Sequence, residues 1–187
     1  MATKKISRKG FGQVEPNHLS GIVTGQIYAQ LPAQKKVVNG DTVVKAGIEI
    51  LEQGQFAKYD YAEGEVNFSG DGEWLLVYNE ETQHDERLKG VHKNFALKAE
   101  DFVETEMTPR LIKTNVGDIY TTNTFGANTS YNAEVEGIEL TEGDKLTVGN
   151  DGYLKKAAAA DKEFIWKVVK VYTMPDGQPG VKIQRIA

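Results

Sequence analysis

The sequence lacks several residue types and segments that would point to particular classes of protein. It contains no cysteine, which excludes disulfides, thiolate zinc sites and cysteine nucleophiles. Its apolar runs, such as Trp74 to Tyr78, are far too short to cross a membrane as a helix. The basic start of the chain has no apolar segment behind it, so we expect no secretory signal. With 40% hydrophobic and 26% charged residues, the chain is expected to bury an ordinary globular core.

Catalytic and phosphate-binding motifs are also missing from the sequence. Ser69 lies in S-G-D-G, which is typical of a turn, and no G-x-S-x-G pattern is present. The G-x-G of residues 10–12 is followed by Pro16 and by no Lys-Ser or Lys-Thr pair, unlike a loop that holds phosphate before a helix. We therefore predict no catalytic residues and no enzyme activity.

Potential metal ligands are concentrated in residues 79–92, which read N-E-E-T-Q-H-D-E-R-L-K-G-V-H. Carboxylates and imidazoles can bind divalent metals. The spacing matches neither a helical H-E-x-x-H motif nor a calcium loop, and Arg87 and Lys89 are interleaved with the acids. This pattern favours a solvated or partner-facing loop, so we predict no metal and no cofactor.

What the sequence does have is glycine, 19 residues of it, placed between short runs of strand-forming residues. Glycine supplies the positive φ angles of tight turns. Gly40-Asp41 and Gly143-Asp144 each begin a run of β-branched residues, and residues 175–180 separate two alternating segments at the end of the chain. We predict a terminal hairpin there, with Trp166, Val168 and Lys170 on one face of its first strand. A second hairpin is predicted over residues 65–78.

These patterns predict a mainly β fold, a compact sandwich or barrel of short antiparallel strands. At most one short helix is expected, in the helix-forming residues 95–107. Residues 1–36 are predicted to be an extended basic arm, and residues 37–187 the β domain. An alternative division of that domain into two subdomains would fall near residues 105–115.

Charge is unevenly distributed between these two parts. Residues 1–36 contain six basic residues and one acid, 6 − 1 = +5, and the remainder contains 16 basic and 26 acidic residues, 16 − 26 = −10. A basic arm on an acidic body predicts that the arm contacts an acidic partner. An alternative is an ordinary solvated terminus.

The order of these segments resembles the head-associated decoration proteins of tailed bacteriophages. The resemblance lies in G-D-K-L-T-V-G-N-D-G-Y-L from Gly143, the alanine-rich loop that follows it, and the closing hairpin of V-K-V-Y and V-K-I-Q-R. It extends over roughly residues 37–187, and the long helices of a major capsid protein are missing.

The resemblance implies a structural protein that binds the outside of a phage capsid and clamps neighbouring capsomers. Its partners would be the major capsid protein and copies of itself, with no membrane and no direct nucleic-acid contact. Another virion component, such as a head-fibre base or a tail or baseplate protein, and a carbohydrate-binding β module are the alternatives. Deletion of residues 1–30 is expected to abolish particle binding and leave the β domain folded. The arm residues expected to bind the shell are Lys4, Lys5, Arg8, Lys9, Phe11, Val14, Ile22, Val23, Ile27, Tyr28 and Leu31.

Overall fold

The computed structural model describes residues 3–15, 27–39, 42–79, 95–102, 104–130 and 132–187, with residues 36–39 and 42–46 described by their backbone alone. The predicted mainly β fold is confirmed. The strands of these ranges are β1 (Thr3–Lys9), β2 (Ile27–Tyr28), β3 (Gln34–Asn39), β4 (Thr42–Gly47), β5 (Ile50–Glu52), β6 (Phe56–Asp60), β7 (Glu65–Asn67), β8 (Trp74–Val77), β9 (Ala96–Lys98), β10 (Leu111–Ile112), β11 (Ile119–Thr122), β12 (Glu134–Thr141), β13 (Lys145–Val148), β14 (Leu154–Lys156), β15 (Trp166–Thr173) and β16 (Pro179–Arg185).

One short 3-10 turn, Ala99–Asp101, is the helical element of the described ranges. It falls within the segment where a single short helix was expected. In these ranges no helix is both long enough and apolar enough to cross a membrane.

Two five-stranded antiparallel sheets form the body of the protein. The first, here the N-terminal sheet, has the order β2-β10-β8-β6-β7, and the second, the C-terminal sheet, has the order β11-β16-β15-β13-β14. Two-stranded ribbons of β1 with β12, β3 with β4, and β5 with β9 complete the described strands. The predicted terminal hairpin is confirmed, because β15 and β16 pair from Trp166 with Arg185 to Thr173 with Pro179.

An aromatic cluster packs the two large sheets against each other. Trp166 of the C-terminal sheet is fully buried, and its ring centroid lies 5.8 Å from that of Phe56 in the N-terminal sheet and 5.1 Å from that of Tyr120. Leu76, beside Phe56 in the same sheet, belongs to this core as well. The arrangement is that of a β-sandwich whose layers are joined by large side chains.

A second core covers the opposite face of the N-terminal sheet. Ala57 and Leu75 alternate with Phe56 and Leu76 along the strands and belong to this second cluster, because successive strand residues point to opposite faces. Met107 is fully buried there too. The N-terminal sheet is therefore apolar on both faces. The alternative of two subdomains stays a prediction.

The segment predicted to form a hairpin over residues 65–78 is built differently. Strands β7 and β8 do not pair with each other, and both pair with β6, which lies between them. Asn67 Oδ1 accepts hydrogen bonds from the N–H groups of Ser69 and Gly70. Gly72 then passes so close to Tyr59 that an added Cβ would lie 2.7 Å from the Tyr59 carbonyl oxygen. These turns carry the chain across β6, so the hairpin prediction was wrong.

The N-terminal residues are part of the core. Strand β1 pairs with β12, and Ile6 is fully buried. The register shifts between Ile6 and Arg8, opposite Gly137, which has a φ of +66° and no room for a side chain, since an added Cβ would lie 1.7 Å from the Ile6 carbonyl oxygen. The prediction of a separate arm is therefore corrected for residues 3–15. Because deletion of residues 1–30 would remove β1, we now expect that deletion to unfold the domain.

A buried ion pair attaches this N-terminal segment to the rest of the molecule. The side chains of Arg8 and Glu52 are both inaccessible to solvent, and their closest N–O distance is 3.0 Å. The Arg8 guanidinium also donates to the carbonyl oxygens of Phe125 at 2.7 Å, Gly126 at 2.6 Å and Asn123 at 3.3 Å. The positive charge of Arg8 is thus stabilised by one carboxylate and three backbone carbonyl groups.

The Glu52 carboxylate has further donors from distant parts of the chain. It accepts hydrogen bonds from the backbone N–H of Gly12 at 2.5 Å and that of Asn128 at 3.0 Å, and from the Tyr153 hydroxyl at 2.5 Å. Burial, together with this neighbouring carboxylate, raises the pKa of Tyr153 well above its usual value. The phenol therefore stays protonated and remains a donor.

Substitution of Glu52 by alanine is expected to lower the free energy of unfolding by about 3–5 kcal/mol, because the buried Arg8 charge would lose its partner. Urea unfolding followed by circular dichroism measures the loss. The matched control is Lys5→Ala, which removes the exposed Lys5–Glu136 pair of the same N-terminal strand, whose side chains are 47% and 85% accessible, and should change stability little. Equal losses in the two variants would contradict the central role of Glu52.

Candidate interaction surface

The C-terminal sheet has an unusual charge composition for a protein with a net charge of −5. Its five strands contain six lysines and one arginine and no aspartate or glutamate. Protein surfaces normally mix both signs of charge. The sheet therefore concentrates positive charge on a part of the chain whose overall balance is negative.

Five of these lysines lie on the outer face of the sheet, away from the core. Lys145 pairs in register with Lys167, and Lys170 with Lys182. Lys155 lies opposite Thr147, two residues from Lys145 on the same strand. The residues that alternate with them, such as Trp166, Val168, Val181 and Ile183, are buried. We call Lys145, Lys155, Lys167, Lys170 and Lys182 the lysine face.

A β-bulge in β15 places Lys170 on this face. The register shifts between Val168 and Lys170, so that Val169 is an extra, exposed residue and the alternation of the strand changes there. Uninterrupted alternation predicted Lys170 on the same face as Trp166 and Val168. That prediction was wrong, and its correction brings Lys170 beside Lys182 and onto the face of Lys167.

No described carboxylate neutralises the lysine face. None of its five lysines has an ion pair or side-chain hydrogen bond with another residue in the described ranges, whereas Lys156, on the other side of β14, pairs with Asp144 at 3.2 Å. Like charges directly opposite each other destabilise a sheet. Lysines often protect edge strands from aggregation, but β13, β15 and β16 are internal strands of this sheet. Protection of an edge strand therefore does not explain why lysines face each other on these internal strands.

The loop of residues 157–163 borders the lysine face beside Thr147. Asp161, Lys162 and Glu163 lie there, around a shallow depression. The Asp161 carboxylate accepts a hydrogen bond from the backbone N–H of Ala158 at 2.7 Å, which stabilises the loop itself. The depression is open and polar, so it offers a rim to the face and no enclosed binding cavity.

Three of the four basic residues predicted to steer the N-terminal segment have side-chain partners within the chain. Lys4 donates to the Tyr172 carbonyl oxygen at 2.8 Å, and Lys5 forms an ion pair with Glu136 at 2.7 Å. Lys9 is exposed and lies opposite Glu134 in the β1–β12 ribbon, and Arg8 is buried against Glu52. The acidic strand β12 thus provides a carboxylate partner within the molecule for one of these residues, Lys5.

The predicted apolar anchors that the structure describes divide into three groups. Phe11 and Val14 are buried in the body, at 0% and 6% accessibility, which corrects their assignment to a partner surface in this conformation. Tyr28 and Leu31 pack against the second core. Ile27 stays partly exposed at 38%. The remaining two anchors, Ile22 and Val23, lie outside the described residues.

Aromatic side chains are arranged differently from a sugar-binding platform. Tyr28 and Tyr59 pack edge to face at 5.3 Å, and Tyr59 is 4% accessible. Tyr61 is 73% accessible and also packs edge-on against Tyr59. Trp74 is half-buried beneath the Lys58 ammonium group, 4.8 Å from its ring centroid. Only Tyr61, among the described aromatics named here, presents an open ring to solvent.

The described residues contain no group of three or more histidine, aspartate or glutamate side chains placed to hold a metal ion. The histidine-containing stretch considered as a metal site falls almost wholly in residues 80–94, outside the described residues.

Comparison of the chain with models of protein families, with curated proteins and with solved structures produced no match.

The like-charge pairs of the lysine face predict a substitution that stabilises the fold. Lys167→Glu would turn the repulsion with Lys145 into attraction and is expected to raise the free energy of unfolding by about 0.2–1 kcal/mol at low salt. The gain should shrink in high salt because salt screens exposed charges. Lys155→Glu is the control, since it changes the net charge equally but lies opposite Thr147. Urea unfolding of both variants at two salt concentrations measures these changes. An equal or larger gain in the free energy of unfolding from Lys155→Glu would contradict the repulsion assigned to Lys145 and Lys167.

Proposed function

We propose that this protein is a structural, non-catalytic component of a bacteriophage particle that coats the outside of the shell and docks through the lysine face. The observation that carries the proposal is a lysine face that no described carboxylate neutralises, on the C-terminal sheet of an otherwise acidic protein. The resemblance of the sequence to head-decoration proteins supplies the setting. The partner surface would be an acidic patch of the major capsid protein.

The chemistry of the face favours carboxylates over nucleic acid. Proteins that bind single strands combine positive charge with exposed aromatic rings on which bases stack. In the described sheet the outer face has lysines, threonines and a half-buried Tyr172, and no open ring. It also lacks arginine, the residue suited to bidentate phosphate contacts, because Arg185 points inward over the ring of Phe164 at 4.2 Å.

The affinity of one such contact would be modest, because exposed ion pairs each contribute little. A shell presents the same patch many times, and neighbouring copies bound to it add contacts once the first has formed. Clamping of adjacent capsomers would follow if the lysine face contacts more than one of them. A rigid sheet also binds without the cost of ordering a flexible segment.

Two triple variants test the docking surface. Lys145→Glu/Lys167→Glu/Lys170→Glu reverses charge on the lysine face, and Lys4→Glu/Lys5→Glu/Lys9→Glu makes the same change of charge on the N-terminal strand. Each variant is incubated with purified phage particles that lack this protein. Density-gradient sedimentation with mass spectrometry then measures the amount bound. We expect the first variant to lose at least about tenfold in binding, a free-energy change of about 1.4 kcal/mol, and the second to bind like the unchanged protein.

Circular dichroism before the gradient establishes that both variants are folded. Retention of binding by the lysine-face variant, with loss in the N-terminal variant, would overturn the docking surface in favour of the N-terminal strand. Failure of the unchanged protein to travel with particles at any salt concentration would overturn the virion assignment itself.

A further inference from the structure

The end of the molecule opposite the lysine face is acidic. Residues 99–102 and 104–107 border the second core, with Phe102 packed against that core and Met107 fully buried in it. The acids between and beside these inward residues are exposed. Glu49 joins them because its carbonyl oxygen accepts a hydrogen bond from the N–H of Ala99 at 2.8 Å. We call the exposed residues Glu49, Glu100, Asp101 and Glu106 the acidic pole.

The order of layers places the two charged surfaces at opposite ends. The lysine face is the outer side of the C-terminal sheet, whose inner side contributes Trp166 to the first core. The N-terminal sheet follows, with Phe56 directed into the first core and Ala57 into the second. The acidic pole lies beyond the second core. Packed layers are about 10 Å apart, so the charge separation extends through the thickness of the protein.

The acidic pole is only partly neutralised within the chain. Lys98 forms an ion pair with Glu100 at 3.6 Å, in which the Glu100 side chain is 76% accessible. None of the other three acids forms an ion pair with another described residue. The pole therefore has carboxylates available to a second surface, and the lysine face has ammonium groups that no described residue pairs with.

We infer that the lysine face of one copy binds the acidic pole of a second copy, head to tail. Contact between two lysine faces is excluded by repulsion, so the interface is heterologous, and such interfaces build chains unless the rotation closes a ring. The inference rests on the lysine face and not on the virion assignment. If both hold, a copy docked by its lysine face presents its acidic pole to the next copy, and a short fibre grows outward from the shell.

A charge-swap experiment tests the contact on the full chain. Sedimentation velocity measures association at about 0.01 M salt, where the Debye length is about 30 Å, and at about 1 M, where it is about 3 Å. The unchanged protein is expected to associate in the first and to be monomeric in the second. Lys145→Glu/Lys167→Glu/Lys170→Glu and Glu49→Lys/Glu100→Lys/Asp101→Lys should each remain monomeric alone. An equimolar mixture of the two should associate again, because each now carries the complement of the other.

The scattered variant Glu63→Lys/Asp71→Lys/Glu134→Lys controls for net charge, because it gains the same charge outside the pole. Its lysine face and acidic pole are both intact, so it is expected to associate on its own at about 0.01 M salt as the unchanged protein does, whereas the pole variant, with the same change of net charge, stays monomeric. A monomeric unchanged protein at low salt, or a scattered variant that stays monomeric like the pole variant, would overturn the inference. Neither result would affect the particle-binding measurement, so the two proposals fail separately.

Discussion

The fold depends on one buried carboxylate. Glu52 has no access to solvent and accepts hydrogen bonds from three separate parts of the chain, through Arg8 and Gly12, through Asn128 and through Tyr153. A buried charge is tolerated only when its partners are all in place, because each missing partner leaves an expensive unpaired group. The N-terminal strand, the loop before β12 and the turn before β14 must therefore arrive together. This requirement makes the N-terminal segment a condition for folding of the two sheets around it.

The parts of the fold that could be predicted from the sequence are those set by local chemistry. Alternation and turn residues identify β15 and β16, because each strand alternates apolar and polar residues and the turn residues lie between the two strands. The pairing of Arg8 with Glu52 spans 44 residues, and no local pattern links them. The course of residues 65–77 also escaped prediction, because a turn motif shows where the chain reverses and not which strand lies beside it. The bulge at Val169 depends on its partner strand in the same way.

The lysine face was missed for a related reason. Charge summed along segments made residues 1–36 look basic and the remainder acidic, yet Lys5, Arg8 and Lys35 form ion pairs with Glu136, Glu52 and Glu65 of the remainder. The five lysines of the face come from four strands between residues 145 and 182, with buried residues between them. That these lysines share one face can be recognised only once the register of the strands is known. A sheet made of strands without acids, inside an acidic chain, was the signal that the sequence did contain.

A charged face on a rigid sheet binds differently from a flexible basic arm. An arm must lose conformational freedom when it binds, which reduces its affinity, whereas the lysine face is already ordered by the core beneath it. The free-energy cost lies instead in the folded state, where Lys145 repels Lys167 and Lys170 repels Lys182. An acidic partner removes that repulsion, so binding and stability are linked: whatever neutralises the face should also stabilise the sheet. Because exposed charges are screened by salt, both the repulsion within the face and its relief by an acidic partner should weaken as the salt concentration rises.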